Sequence, residues 1–193
     1  MFASKRITTM GGDKFRDEYS LAFDGSNDYI DTGDTFQSML RGGFSISAWV
    51  KMDDGVPSGL KTICGSRNSS DEDWWYFGIA ASGGNEGKMI LYHKTNNDAD
   101  IGYSDAAVFP NGATGWGHLV ISATINTATD GYKMFFNGKL VGVDSSNGIT
   151  TDNWEAFTTS DNVYLGGYND DGSASNLHVG KISEIAFYSK ALN

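Results

Sequence analysis

The stretch G-Y-K-M-F-F-N-G-K-L-V-G-V, residues 131–143, decides the fold class. Apolar residues alternate with other types on both sides of Asn137-Gly138. That dipeptide is a strong hairpin signal, because a type I′ turn needs positive φ at both central positions. The same two-residue period recurs outward from this hairpin. In G-F-S-I-S-A-W-V-K (43–51), Phe44, Ile46, Ala48 and Val50 share one face and Ser45, Ser47 and Trp49 the other. In H-L-V-I-S-A-T-I (118–125), Leu119, Ile121, Ala123 and Ile125 share one face. Residues 88–94, 162–168 and 181–189 read as strands as well, and no window of helical length carries an i, i+3, i+4, i+7 apolar pattern.

Glycine-rich polar connectors lie between these segments, at 53–59, 66–73, 81–87, 145–153 and 169–176. About ten or more strands in a chain of this size predict an antiparallel β-sandwich. Its 193 residues suit one domain with a core large enough to need no staple. Cys64 is the only cysteine, which rules out an intrachain disulfide and a cysteine-rich metal cluster. No apolar run is long enough for a membrane helix. The first twenty residues lack the apolar stretch of a secretory signal, so the chain is expected to be made without that export route or to be already processed.

Charge is unevenly distributed. The net value is −10, yet residues 1–16 set Lys5, Arg6, Lys14 and Arg16 against Asp13 alone, which leaves the remainder at −13. An acidic body argues against nucleic acid as partner, since phosphate binding needs clustered cations. The expected organisation is therefore an extended basic arm over 1–18, suited to docking on an acidic partner, followed by one domain over 19–193.

Several pieces stand in a recognisable order: S-L-A-F-D-G-S-N-D-Y-I (20–30), G-F-S-I-S-A-W-V-K (43–51), W-G-H (116–118), Y-K-M-F-F-N-G-K-L-V-G (132–142), V-Y-L-G-G (163–167) and G-K-I-S-E-I-A-F-Y-S-K-A-L (180–192). Together they resemble the laminin-G-like, concanavalin A-like jelly rolls of the pentraxin-like branch. The resemblance implies an all-β antiparallel jelly roll that binds glycans or protein surfaces, often with a structural calcium ion at one edge. It implies calcium ligands at Asp24, Asp28, Ser183 and Glu184, although family members often carry Asp where this chain has Ser183. Stand-alone domains of this kind are similar to virion structural proteins of tailed phages. That likeness implies a capsid or tail decoration protein on the virion surface or outside the cell, anchored by its arm and open to self-association.

Residue 19 onward, Y-S-L-A-F-D-G-S-N-D-Y-I-D-T-G, is expected to form the opening hairpin, with Leu21 and Phe23 inward and F-D-G as its turn. Its carboxylates lack the spacing of a self-contained calcium loop. Trp116 and His118 read as structural: an indole at a strand start, and an imidazole hydrogen-bonded near the sandwich edge. His93 and His178 lack zinc-ligand spacing. Trp49 is expected to cover a second apolar patch.

Catalysis is not expected. Glycoside hydrolysis uses two carboxylates flanking the scissile bond, and none of the five glutamates, Glu18, Glu72, Glu86, Glu155 and Glu184, stands in such an array. A glycan site wants aromatic faces beside planar polar groups, and three loops offer them: 71–76, 152–157 and 167–176. The candidate ligand-binding residues are Trp75, Trp154, Tyr168, Asn169 and Asp171. Alternation also requires one of Trp74 and Trp75 to enter the core. A soluble carbohydrate-binding module and a glycosidase of the same fold are the other two readings.

Overall fold

The computed structural model describes residues 19–40, 43–67, 74–95, 98–124, 131–143 and 161–192. The expected arm, Trp154 and Ile125 lie outside them. In chain order the described elements are β1 (Leu21–Asp24), β2 (Ile30–Asp31), the single-turn α1 (Gln37–Leu40), β3 (Phe44–Met52), β4 (Lys61–Arg67), β5 (Trp74–Ile79), β6 (Met89–Thr95) and β7 (Asp98–Tyr103). They continue with β8 (Gly117–Thr124), β9 (Gly131–Phe136), β10 (Lys139–Val143), β11 (Tyr164–Leu165), β12 (Tyr168–Asp170), β13 (Ser173–Ser175) and β14 (Val179–Tyr188).

These strands form the two sheets of a β-sandwich. The six-stranded sheet runs β1-β14-β3-β8-β9-β10. The eight-stranded sheet runs β13-β12-β4-β5-β6-β7, with β11 joining β4 to β2. All pairings are antiparallel except β12 with β4. The hairpin over 131–143 forms as its sequence dictates. Phe136 pairs with Lys139, and Asn137 and Gly138 take φ of 50° and 75°.

Alternation fills the space between the sheets. Ile46, Ala48 and Val50 of β3 meet Leu119, Ile121 and Ala123 of β8 on one side, and Ile63, Trp75, Phe77, Ile79 and Leu91 come from the other sheet. Each such large side chain contributes roughly 1.5–3 kcal/mol on leaving water. Ser45 and Ser47 on the opposite face of β3 are buried too. Ser45 Oγ donates to the Lys190 carbonyl and accepts from the Leu192 N–H, while Ser122 Oγ donates to the Leu192 carbonyl. The end of the chain thus covers the outer face there.

Three expectations need correction. The stretch from Tyr19 is no hairpin, because β1 pairs with β14 in one sheet and β2 with β11 in the other. The F-D-G segment crosses between sheets, and Gly25 (φ 77°) is required where a Cβ would fall 2.3 Å from Val179 Cγ2. Phe23 is buried, but Leu21, on an edge strand, is 52% exposed. Residues 162–168 are two strands, since Gly166 at φ 79° breaks the run. His118 stands at the start of β8, a central strand of its sheet, where its ring stacks on Trp49 at 5.0 Å. Burial holds the His118 imidazole below its ordinary pKa, partly offset by Glu184.

Candidate functional site

The period of two across W-W-Y-F-G-I (74–79) sorts its aromatics onto opposite faces. Trp75, Phe77 and Ile79 enter the core at 0% exposure, whereas Trp74 and Tyr76 stand on the outer face of the eight-stranded sheet. Register brings partners to them. Tyr76 pairs with Tyr92 of β6, which pairs with Ile101 of β7. On the other flank Gly65 of β4 pairs with Tyr76. A Cβ at Gly65 would lie 2.7 Å from Tyr76 Cβ and 2.8 Å from Tyr168 Cβ, so the bare glycine lets Tyr168 of β12 reach Tyr76 across β4.

The result is a row of rings standing side by side. Tyr92 and Tyr76 are parallel within 4° at 5.0 Å, and Tyr76 and Tyr168 within 22° at 5.8 Å. Trp74 tilts against Tyr92 at 4.9 Å and Tyr168 at 5.4 Å. Leu60, Ile90, Ile101 and Tyr103 extend the apolar ground. Tyr164, opposite Gly65 in register, carries the face toward β2, where the exposed Tyr29 stacks on it at 4.6 Å.

One charged pair is set into this surface. Arg67 pairs with Trp74 across the strands, and its guanidinium carbon lies 4.8 Å from the indole centroid, a cation–π contact. Its Nη1 donates to Asp170 Oδ1 at 2.7 Å, and Ser175 Oγ donates to Asp170 Oδ2 at 3.2 Å. Burial raises the Tyr168 phenol, as does Asp170, while hydrogen bonds with Ser175 and Arg67 oppose the shift. Burial raises Tyr76 and Tyr92 as well, the latter partly offset by Arg67. The phenols are therefore neutral donors at physiological pH. Trp74 Nε1 is a buried donor without a hydrogen-bond partner, and such a group points to a ligand or a function.

The sequence-stated ligand residues divide. Tyr168 belongs to this face. Trp75 does not, being wholly in the core, and its neighbour Trp74 takes the place on the surface. Asn169 is buried and structural: its side-chain N–H donates to the Asn162 carbonyl and its Oδ1 accepts from the Gly172 N–H. Asp171, at φ 51°, and Gly172 form the turn joining β12 to β13. Arg67, Trp74, Tyr76, Tyr92 and Asp170 were not anticipated. The signal for Trp74 and Tyr76 was parity: Phe77 and Ile79 mark the inward set of this strand, which leaves 74 and 76 on the outer face.

The residues named for calcium do not converge. Pairing of β1 with β14 sets Asp24 against Val179 and Leu21 against Ile182, so Ser183 and Glu184 lie beyond the other end of β1. Asp24 and Asp28 line a cleft with Asp53 and Gly180, whereas Ser183 and Glu184 line another with Tyr19 and Leu21. One oxygen of each carboxylate accepts a backbone N–H, Asp28 Oδ2 from Asp24 and Asp24 Oδ1 from Ser26. Ser183 Oγ donates to the Tyr19 carbonyl. Among the described residues no group of three or more His, Cys, Asp or Glu is placed to hold a metal ion. Six to eight converging oxygens are what calcium requires, and this set does not fit it.

A family model described as the concanavalin A-like lectin/glucanases superfamily, of the laminin G type, matches residues 24–193. No curated protein sequence matches the chain. Similar solved structures include the CBM40 of the Ruminococcus gnavus IT-sialidase bound to alpha2,6 sialyllactose, at TM-score 0.66 and 16% identity over 91% of each chain. The NanB sialidase from Streptococcus pneumoniae matches at TM-score 0.67 and 18% identity, over 91% of this chain but only 26% of its own length. A receptor binding domain matches at TM-score 0.60 and 14% identity, over 93% of this chain and 41% of that one. At these identities the likeness is one of fold.

Proposed function

Because the chain belongs to the concanavalin A-like lectin/glucanases superfamily, we propose that it is a non-catalytic, lectin-like carbohydrate-binding module whose site is the outer face of the eight-stranded sheet. The observation that carries this reading is the row of Trp74, Tyr76, Tyr92 and Tyr168 with the Arg67–Asp170 pair set among them. Sugar rings present apolar C–H faces and polar rims. Recognition therefore calls for aromatic ground with a few fixed polar groups, the usual make-up of a small-ligand site. Trp74 and Tyr92 are partly exposed and offer that ground. Arg67 supplies donors, Asp170 acceptors, and the Ser175 hydroxyl both. The fold neighbour bound to sialyllactose supports a glycan as ligand.

The non-catalytic reading has its own support. Hydrolysis of a glycosidic bond asks for two carboxylates in free opposition, and on this face Asp170 is held by Arg67 and Ser175. A glycan array followed by calorimetry on its best hit tests the module. Specific binding that Trp74→Ala weakens by about thirtyfold while the fold survives is the expected result. Silence on the array, or binding indifferent to Trp74, overturns it.

The setting is proposed as a virion surface, with the basic segment 1–16 as anchor. The similarly folded receptor binding domain supports an attachment role. Deleting residues 1–16 should leave a folded domain that no longer assembles; normal assembly without them removes the anchoring role.

A further inference from the structure

Resting on the reading of this face as a glycan site, we propose that Asp170 sets the class of sugar: by holding Arg67 it makes the face selective for uncharged glycans and turns away sialylated ones. A guanidinium recognises a carboxylate through its donor fork, two parallel N–H bonds to the two oxygens. Here one arm of that fork is already taken by a carboxylate of the chain itself. Arg67 Nη1 lies 2.7 Å from Asp170 Oδ1, the guanidinium leans on Trp74, and Tyr168 shares hydrogen bonding with it. The pair is partly shielded, with side-chain exposures of 21% and 30%.

An incoming carboxylate at Arg67 would have to displace Asp170 and then sit beside it. Like charges so placed at an interface cost several kcal/mol. The acidic chain adds to the penalty, since its net charge is −10. A neutral pyranose meets no such obstacle. Neighbouring hydroxyls carry no charge and can both accept from a guanidinium and donate to a carboxylate, so a diol suits the pair as a unit. The fold thus keeps a sugar-binding face while its charge pattern departs from what a sialic acid carboxylate needs.

The test uses glycans in pairs that differ only by a terminal sialic acid, measured by calorimetry against the full chain and against Asp170→Asn. The substitution keeps the shape and an acceptor for Arg67 and removes the negative charge. The wild type should favour the neutral member by about tenfold or more, with affinity nearly unchanged between low and high salt. Asp170→Asn should narrow or reverse that preference and make sialylated binding salt-sensitive. A wild type that prefers the sialylated member overturns the proposal and leaves the glycan site standing, as does a variant whose preference is unchanged. Should the variant fail to fold, the wild-type preference and its salt dependence decide alone. No binding to either member by wild type or variant overturns both readings together.

Discussion

Acid should weaken this fold through two buried histidines well before its carboxylates protonate. His93 and His178 are 1% and 0% exposed. His93 lies on β6 opposite Trp75, and His178 stands edge-on to Phe23 at 6.0 Å. Burial pushes the His93 imidazole from 6.5 down to about 3. It also pushes His178 down to about 4, helped by Lys61. Both shifts have the same sign for stability: the unfolded chain takes up protons near pH 6.5 while the folded chain resists. Stability is therefore complete above the unfolded value and falls as pH drops toward the folded one. At pH 5 each histidine favours unfolding by about 2 kcal/mol, and the two by about 4 kcal/mol. That is a large part of the 5–15 kcal/mol typical of a domain. Urea unfolding at pH 7.5 and pH 5.0 measures it, as a drop in midpoint at constant slope. The double variant His93→Gln/His178→Gln should start less stable but lose far less between the two pH values. Equal stability of the wild type at both, or an unchanged pH slope in the double variant, refutes the reasoning.

The two adjacent tryptophans should behave oppositely. Trp75→Ala opens a cavity in the core and should cost about 3–5 kcal/mol of stability, read by denaturant midpoint. Trp74→Ala should cost much less stability but weaken glycan binding by about thirtyfold, as loss of an interface tryptophan does. Gly65→Ala should lower the melting temperature and diminish near-ultraviolet dichroism from the tyrosines. Its Cβ would sit 2.6 Å from the Trp75 carbonyl oxygen and between Tyr76 and Tyr168, and overpacking of this kind costs about 1–3 kcal/mol. Calcium at millimolar concentration should leave the melting temperature unchanged, because a ligand stabilises only by binding the folded state and the four named residues do not converge; a clear rise on calcium and its loss on chelation would contradict this.

Much of the sandwich was legible because its rules are local. Period two across 43–51, 118–124 and 131–143 fixed which side chains turn inward, and Asn137-Gly138 fixed one turn. The F-D-G segment misled because a turn between two strands looks the same whether it joins neighbours or crosses between sheets. Only the pairing of β1 with β14, across more than 150 positions of sequence, tells the two apart. The candidate site was hidden for the same reason. Arg67, Trp74, Tyr92 and Asp170 come from four strands and meet through register, whereas the sequence points to loops. The doubled tryptophan fixes an alternation without saying whether Trp74 or Trp75 faces out; Phe77 and Ile79, sharing a parity with Trp75, carry that answer. Asn169 resembled a ligand because an amide beside Asp and Gly suits both a sugar and a turn, and its bonds to Asn162 and Gly172 show the turn.

The central claim, that glycans bind on the outer face of the eight-stranded sheet, is tested most directly by nuclear magnetic resonance. The best glycan from the array would be titrated into isotope-labelled protein while the indole and backbone resonances are followed. The account predicts the largest shifts at the Trp74 Nε1–H and at the backbone amides of Arg67, Tyr76, Tyr92 and Asp170, with Trp49 on the other sheet unmoved. Shifts centred on Trp49 and His118, or around Asp24 and Asp28, with Trp74 silent, would contradict it.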